Sequence, residues 1–396
     1  MPVCLSSGEF RRRRAEIGKR MEDRGLGSLC LFSAAQVFYL TGFPFIATER
    51  PIAALFVPET NRVVLYVPLL EMEHAEEAHA DAVRTYKEYP GSEHPMMLLS
   101  RVLAEFGAVS GRVGVDADGY GGGYGYVGPR LSDLTEAEVV AVPDLIERMM
   151  RIKSEEEIGL IRESCKWAGV AHRLLQDYTA PGLVETDVSF RASYEASMRM
   201  IKTLGPEYRL MRFGSLPVQA DYRGQIGTRS AIPHAITANA TFQQGDVVVS
   251  GAGAEVGGYL SELERTMIVG VPTAEQRRHF ELMVDVQELA FSMIRPGAKC
   301  SEVDQAVTAY FRSHGIEETW RHHTGHSIGY GMHEAPFLDG GDNTEIEPGM
   351  VLTVEPGIYV PGVAGFRHSD TVLVTENGME ILTVYPRELG SLTIVG

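Results

Sequence analysis

Along the first 150 residues the apolar positions recur with two different periods. "EFRRRRAEIGKRMEDRGL", from residue 9 to 26, repeats its apolar residues at helical spacing. "GSLCLFS", "AALFVPE" and "RVVLYVP" are short apolar runs of the kind that form buried strands, the last two parted by a polar turn. "HPMMLLSRVLAEFG" predicts a further helix and "RVGVDAD" a further strand. The stretch "DGYGGGYGYVGP", 118 to 129, has no usable period and reads as a connection.

Near residue 150 the pattern changes. "MMRIKSEEEIGLIRESCKWAGVAHRLLQDY", 149 to 178, predicts one long helix, and "APGLVETDVSF" restarts another with Thr186 as its cap. A domain boundary at Met149 follows, with an α/β domain over 1–149 and a second domain over 150–396. In the second domain a polar loop at about 203 to 230 precedes strands around 247 to 269. A helix pair and strands around 350 to 375 follow. Helices interleaved with hairpin-type strands predict an α+β domain.

Composition narrows the class. A chain of 396 residues with 44% hydrophobic and 22% charged residues exceeds one ordinary core and reads as globular. It has no apolar run long enough for a membrane span, and no leader-type apolar segment. A net charge of −17 argues against nucleic-acid partners, so "RRRR" at 11 to 14 reads as a solvated helix face. Four scattered cysteines, Cys4, Cys30, Cys165 and Cys300, suggest free thiols and a cytoplasmic protein.

The candidate chemistry lies in the second domain. In "SELERTMIVG", Glu262 and Glu264 stand two residues apart on a strand-like stretch and so share a face. Two carboxylates there need a cation, a metal ion or a proton to compensate them. His234 in "PHA", His326 in "HHTGHSIG", His333 in "MHEAP" and Glu355 in "VEPGIY" are further candidates, as is the segment "GFRHSDTVLVTENG".

Taken in order, "RIKSEEEI", "GAGAEVGGYLSELERT", "TGHSIG", "HEAP", "VLTVEPGIY" and "TVLVTENG" resemble the creatinase/aminopeptidase family. The resemblance implies a pita-bread catalytic domain behind a creatinase-like N-terminal domain. Most members of that family are two-metal peptidases acting on Xaa-Pro or N-terminal residues. Their five metal ligands fall here on Gly251, Glu262, His326, Glu355 and Ser369, so two are missing and both would serve one of the two ions. The neighbours Ser250 and His368 do not replace them, since a one-residue offset in a strand points to the opposite face.

The metal-free, creatinase-like branch is similar in other respects. "ELERT" resembles its "ALERT", His234 lies eleven residues before Gly245 as its catalytic histidine does, and "ERPIAALFV" places Arg50 at a carboxylate clamp. The principal expectation is therefore a creatinase-like hydrolase that cleaves a C–N bond of a small carboxylate-bearing metabolite without a cofactor. In that reading Glu264 and Glu355 hold the cationic group of the substrate and His234 moves the proton. His326 and His333 complete the catalytic set, Glu262 and Phe337 line the substrate, and Arg50 acts across a homodimer. Phe337 stands where creatinase has a second arginine. Two alternatives accompany it: an Xaa-Pro dipeptidase-like or aminopeptidase-like hydrolase keeping one divalent ion on Glu262, His326 and Glu355, and a non-catalytic peptide-binding protein.

Overall fold

The apolar runs of the N-terminal region pair with one another. The computed structural model describes residues 3–395 apart from 90, 110, 213 and 215. It begins with α1 (Ser7–Asp23), β1 (Ser28–Leu31), α2 (Ala34–Thr41), β2 (Ala53–Val57) and β3 (Arg62–Pro68). Then come α3 (Met72–Glu76), β4 (Ala82–Tyr86), α4 (Pro95–Glu105), β5 (Arg112–Val115) and β6 (Glu138–Ala141). The six strands form one mixed sheet in the order β4-β3-β2-β1-β5-β6. Because β2 and β3 are apolar at nearly every position, both faces of the sheet are buried. Leu55, Val64, Tyr66, Leu99 and Leu103 form the core beneath α4. These elements make up one unit, Leu5–Met150.

The basic run departs in part from its expected role as a solvated face. Arg13 is fully buried, bonded to Glu9 at 2.9 Å and to the Tyr39 carbonyl at 2.9 Å. Arg12 also pairs with Glu9, and Arg14 with Asp81. Arg13 and Arg14 therefore tie α1 to Tyr39 and Asp81, while Arg11 and Arg12 stay on the exposed face.

The second unit comprises Arg151–Gly396 with Met1–Cys4. The long helix predicted over 149–178 is two: α5 (Asp144–Arg151) and α6 (Glu155–Tyr178). Ser154 separates them with a reciprocal capping box to Glu157, which satisfies backbone donors at the start of α6. Helix α7 (Glu185–Leu204) starts before Thr186, whose hydroxyl bonds Asn239 instead of capping. The stretch expected to be loop contains β7 (Val218–Asp221), where Val218 and Ala220 are buried and Gln219 is exposed.

The rest follows as β8 (Val247–Val256), β9 (Tyr259–Leu260), β10 (Leu263–Val269), α8 (Ala274–Met293), α9 (Cys300–Ser313), β11 (Gly325–Ser327) and β12 (Glu334–Leu338). After these come β13 (Val351–Val354), β14 (Gly357–Val360), β15 (Ala364–Arg367), β16 (Ser369–Thr375), β17 (Gly378–Ile381) and β18 (Thr393–Ile394). The main path of the large sheet is β12-β11-β13-β16-β10-β8-β7, and β14 and β15 form a separate hairpin. Helices α6 and α7 pack on β8 and β7, while α8 and α9 lie against β13 and β12.

This is the α+β, pita-bread type of domain that the motifs implied. No described helix is long and apolar enough to cross a membrane. All four cysteines are free.

Candidate active site

Pairing across the large sheet sets the site. Asp221 on β7 faces Gly251 on β8, Gly251 faces Glu264 on β10, and Glu264 faces Ser369 on β16. Residues directly opposed in an antiparallel ladder share a face, so these four line one side of the sheet. Their neighbours turn the other way. Ser250 bonds His172 of α6 at 2.7 Å, and Asp370 accepts from Arg265 at 2.7 Å and from Gln287 of α8 at 3.0 Å. His368 is buried with its ring against Phe280 of α8. Neither Ser250 nor His368 reaches the open face.

Glu262, just ahead of β10, comes together there with His326 of β11 and Glu355 beside β13. One ligand-type atom from each lies within 4.8 Å of the others. His326 is fully buried, and its Nδ1–H donates to the Ser327 carbonyl at 3.0 Å. Its Nε2 makes no aligned hydrogen bond but stands 3.2 Å from a Glu355 oxygen, within ion-pair reach. Ser369 donates to Glu262 at 2.7 Å.

Charge in this cluster is unevenly shared. Burial pushes the Glu262 carboxyl up to about 8, and the charges of Glu355 and Glu264 add to it. Burial works against protonation of His326, yet its contact with Glu355 and the charge of Glu262 outweigh that and raise it to about 9. Burial likewise opposes ionisation of Glu355, but the His326 contact prevails and holds it near 2.

Glu264 has different company. Arg367, buried at the end of β15, bonds both of its carboxylate oxygens, one of them at 2.7 Å. The Nη2 of Arg223 bonds it as well. A Cβ at Gly251 would lie 3.6 Å from Glu264 Oε1 and 3.9 Å from Arg223 Nη2. The two carboxylates singled out in the sequence are thus compensated in different ways, Glu264 by arginines and Glu262 by a proton or a metal ion.

The other predicted residues are distributed as follows. The His333 ring stacks on His326 with centroids 3.7 Å apart. Burial and the neighbouring His326 charge hold His333 below its usual range. His234 is exposed, and its charge is felt at His333. Phe337 pairs with His326 across β11 and β12, its ring beside His323 at 5.7 Å. Arg50, in the N-terminal unit, is engaged by Glu49 and Glu88.

Arg367 and Tyr359 lie in segments that the sequence marked without giving these two residues a role; Arg367 donates to the Tyr359 hydroxyl at 2.9 Å beside Glu264. His322, which the sequence did not single out, bonds the Tyr359 hydroxyl at 2.8 Å. Nothing local gives these three a role, because their partners come from other strands.

Glu262, Glu355 and the Nε2 of His326 fit one divalent ion: two hard oxygen donors and one imidazole, with ligand atoms within 4.8 Å of one another. The ligand set for a second ion does not fit. Gly251 offers no side chain, Ser369 is committed to Glu262, and the space beside Gly251 is taken by Glu264 and Arg223.

Comparison with known proteins bears on both points. The model of metallopeptidase family M24 matches residues 159–376, and that of the creatinase/prolidase N-terminal domain matches residues 13–150. An Xaa-Pro dipeptidase of Pyrococcus furiosus is 28% identical, covering 96% of this chain and 100% of that protein. A probable dipeptidase PepE of Mycobacterium tuberculosis is 28% identical over 96% of each chain. Among solved structures, the prolidase from Pyrococcus horikoshii superimposes with a TM-score of 0.78 at 28% identity, covering 96% of this chain and 99% of that one.

These relatives overturn two expectations. The creatinase-like activity on a small metabolite gives way, because proteins similar over nearly the whole chain are dipeptidases and prolidases. The absence of a cofactor gives way with it, since the matching family is one of metallopeptidases and the cluster retains a fitting donor set. A physical reason accompanies both. The creatinase-like reading needed Glu264 free for a cationic substrate, and Arg367 and Arg223 already occupy it.

Proposed function

The chain belongs to the metallopeptidase M24 family, and on that premise we propose that it hydrolyses small peptides of the Xaa-Pro type with one divalent metal ion held by Glu262, His326 and Glu355. The observation that carries this reading is the convergence of the buried His326 Nε2, which makes no aligned hydrogen bond, with two carboxylates within 4.8 Å. When bound, the ion supplies Lewis acidity and makes water a usable nucleophile near neutral pH.

The remaining work belongs to the chain. The Nδ1–H bond to Ser327 fixes the His326 ring and turns Nε2 toward the carboxylates. The Ser369 hydroxyl orients Glu262. His333, held below its usual range, is neutral at pH 7 and can take a proton on a ring nitrogen. In the overall reaction water adds its hydroxyl to the carbonyl carbon, the C–N bond breaks, and the leaving nitrogen receives the proton. His333 and the more exposed His234 are the carriers we assign to that transfer.

The test is release of free proline from a panel of Xaa-Pro dipeptides by protein loaded with Mn or Co. Cleavage that disappears on chelation and returns with metal is the expected result. No turnover of any dipeptide by the loaded protein would overturn the reading.

A further inference from the structure

Two guanidinium groups, from Arg367 and Arg223, bond one carboxylate, Glu264, and Arg223 also stands at ion-pair distance from Asp221. Glu264 lies beside Gly251 and Ser369, the two positions where metal ligands of the family are missing. We propose that Arg223 supplies the second positive charge of this site in place of a second metal ion, and that its free edge receives the carboxylate of the substrate. The proposal rests on the peptidase reading above and adds to it a substrate-binding residue.

Arg367 is buried, so it serves as the fixed anchor. Arg223 is not: its side chain is 38% exposed, and it lines a cavity of about 470 Å3 shared with Glu262, Gly251 and His333. Its Nη2 is used by Glu264 and reaches Gln225 Oε1 at 3.4 Å. Its Nε stands 4.0 Å from Asp221 Oδ1, beyond hydrogen-bond reach, and among the described residues no hydrogen bond engages Nη1. A guanidinium edge with unspent donors, facing a cavity next to a metal-type cluster, is suited to a carboxylate, whose two oxygens match the fork.

The backbone around Arg223 is built to hold this position. Its φ is 49°, a left-handed conformation that a β-carbon disfavours. Gly224 follows at φ 72°, where a Cβ would lie 2.2 Å from the Ile236 carbonyl oxygen. The Gly224 N–H is tied to the buried Glu185 at 2.6 Å. A strained residue in a pinned turn that aims a cation into a cavity is the pattern of a functional constraint.

The proposal predicts one ion per chain when the whole protein is titrated with Mn, read by elemental analysis after removal of free metal. Two ions per chain would overturn it. For the carboxylate, binding of Ala-Pro and of Ala-Pro amide is measured by calorimetry on wild type, Arg223→Ala and Arg223→Lys. Arg223→Ala should weaken Ala-Pro by tenfold or more and leave the amide within about twofold, with partial recovery in Arg223→Lys. Equal losses for acid and amide, or no loss, would overturn the assignment. Failure of the peptidase reading shows separately, as absent turnover by the metal-loaded wild type, and leaves the ion count to stand or fall alone.

Discussion

Arg367 grips both oxygens of Glu264, and both side chains are buried. A buried pair of this kind is strongly destabilising to break, because the remaining charge has neither partner nor water. Glu264→Ala should therefore lower stability by roughly 3–5 kcal/mol, read from urea unfolding. The double replacement Glu264→Leu with Arg367→Met should recover much of that loss. A loss in the single variant under about 1 kcal/mol would mean that the pair is wetter than its burial indicates.

Behind the site, Arg265 and Asp370 form a second ion pair at 2.7 Å, both fully buried. Asp370 also accepts from Thr383 and Gln287, and Arg265 donates to the carbonyls of Pro386 and Ser369. This network ties β10 and β16, which carry the functional face, to α8. Asp370→Ala should cost roughly 3 kcal/mol or more of stability. It should also weaken metal binding without removing any ligand. Wild-type metal affinity in a destabilised Asp370→Ala protein would show that the site does not depend on this support.

Metal binding should stabilise the fold by mass action. At a free ion concentration one hundred times the dissociation constant the gain is about 2.7 kcal/mol. His326→Ala removes the imidazole of the set and should abolish that gain. Thermal unfolding of both proteins with Mn, and again with a chelator, checks it. A stabilisation that persisted in His326→Ala would place the ion elsewhere.

The affinity for the ion should rise with pH. Without metal, Glu262 holds its proton up to about 8 and His326 up to about 9. An incoming ion must displace both protons, so from pH 6 to 8 the apparent affinity should rise by up to tenfold per unit for each proton displaced. Above about 9 it should level off. Ordinary values for the two groups would instead make the affinity flat above pH 7. Competition titrations at pH 6, 7, 8 and 9 distinguish the two.

Several features of the protein were legible in its residues alone. The two-residue repeat of a strand predicted Glu262 and Glu264 on one face; Glu262 lies just ahead of β10, lines the same cavity as Glu264 and bonds Ser369, while Ser250 bonds His172 of α6 and the His368 ring lies against Phe280 of α8. The ordered motifs led to the family and the pita-bread domain. Local signals were weaker elsewhere. The break between α5 and α6 depends on one serine cap, and the short strand β7 hides within a polar stretch.

How the carboxylates are neutralised was not legible, and the functional expectation failed there. Arg223 and Arg367 lie 41 and 103 residues from Glu264 along the chain, yet both bond it. Periodicity reports which way a side chain points, since that follows from the local backbone. Coulomb energy depends on separation in space, and only the tertiary fold decides which charge lies within reach of which.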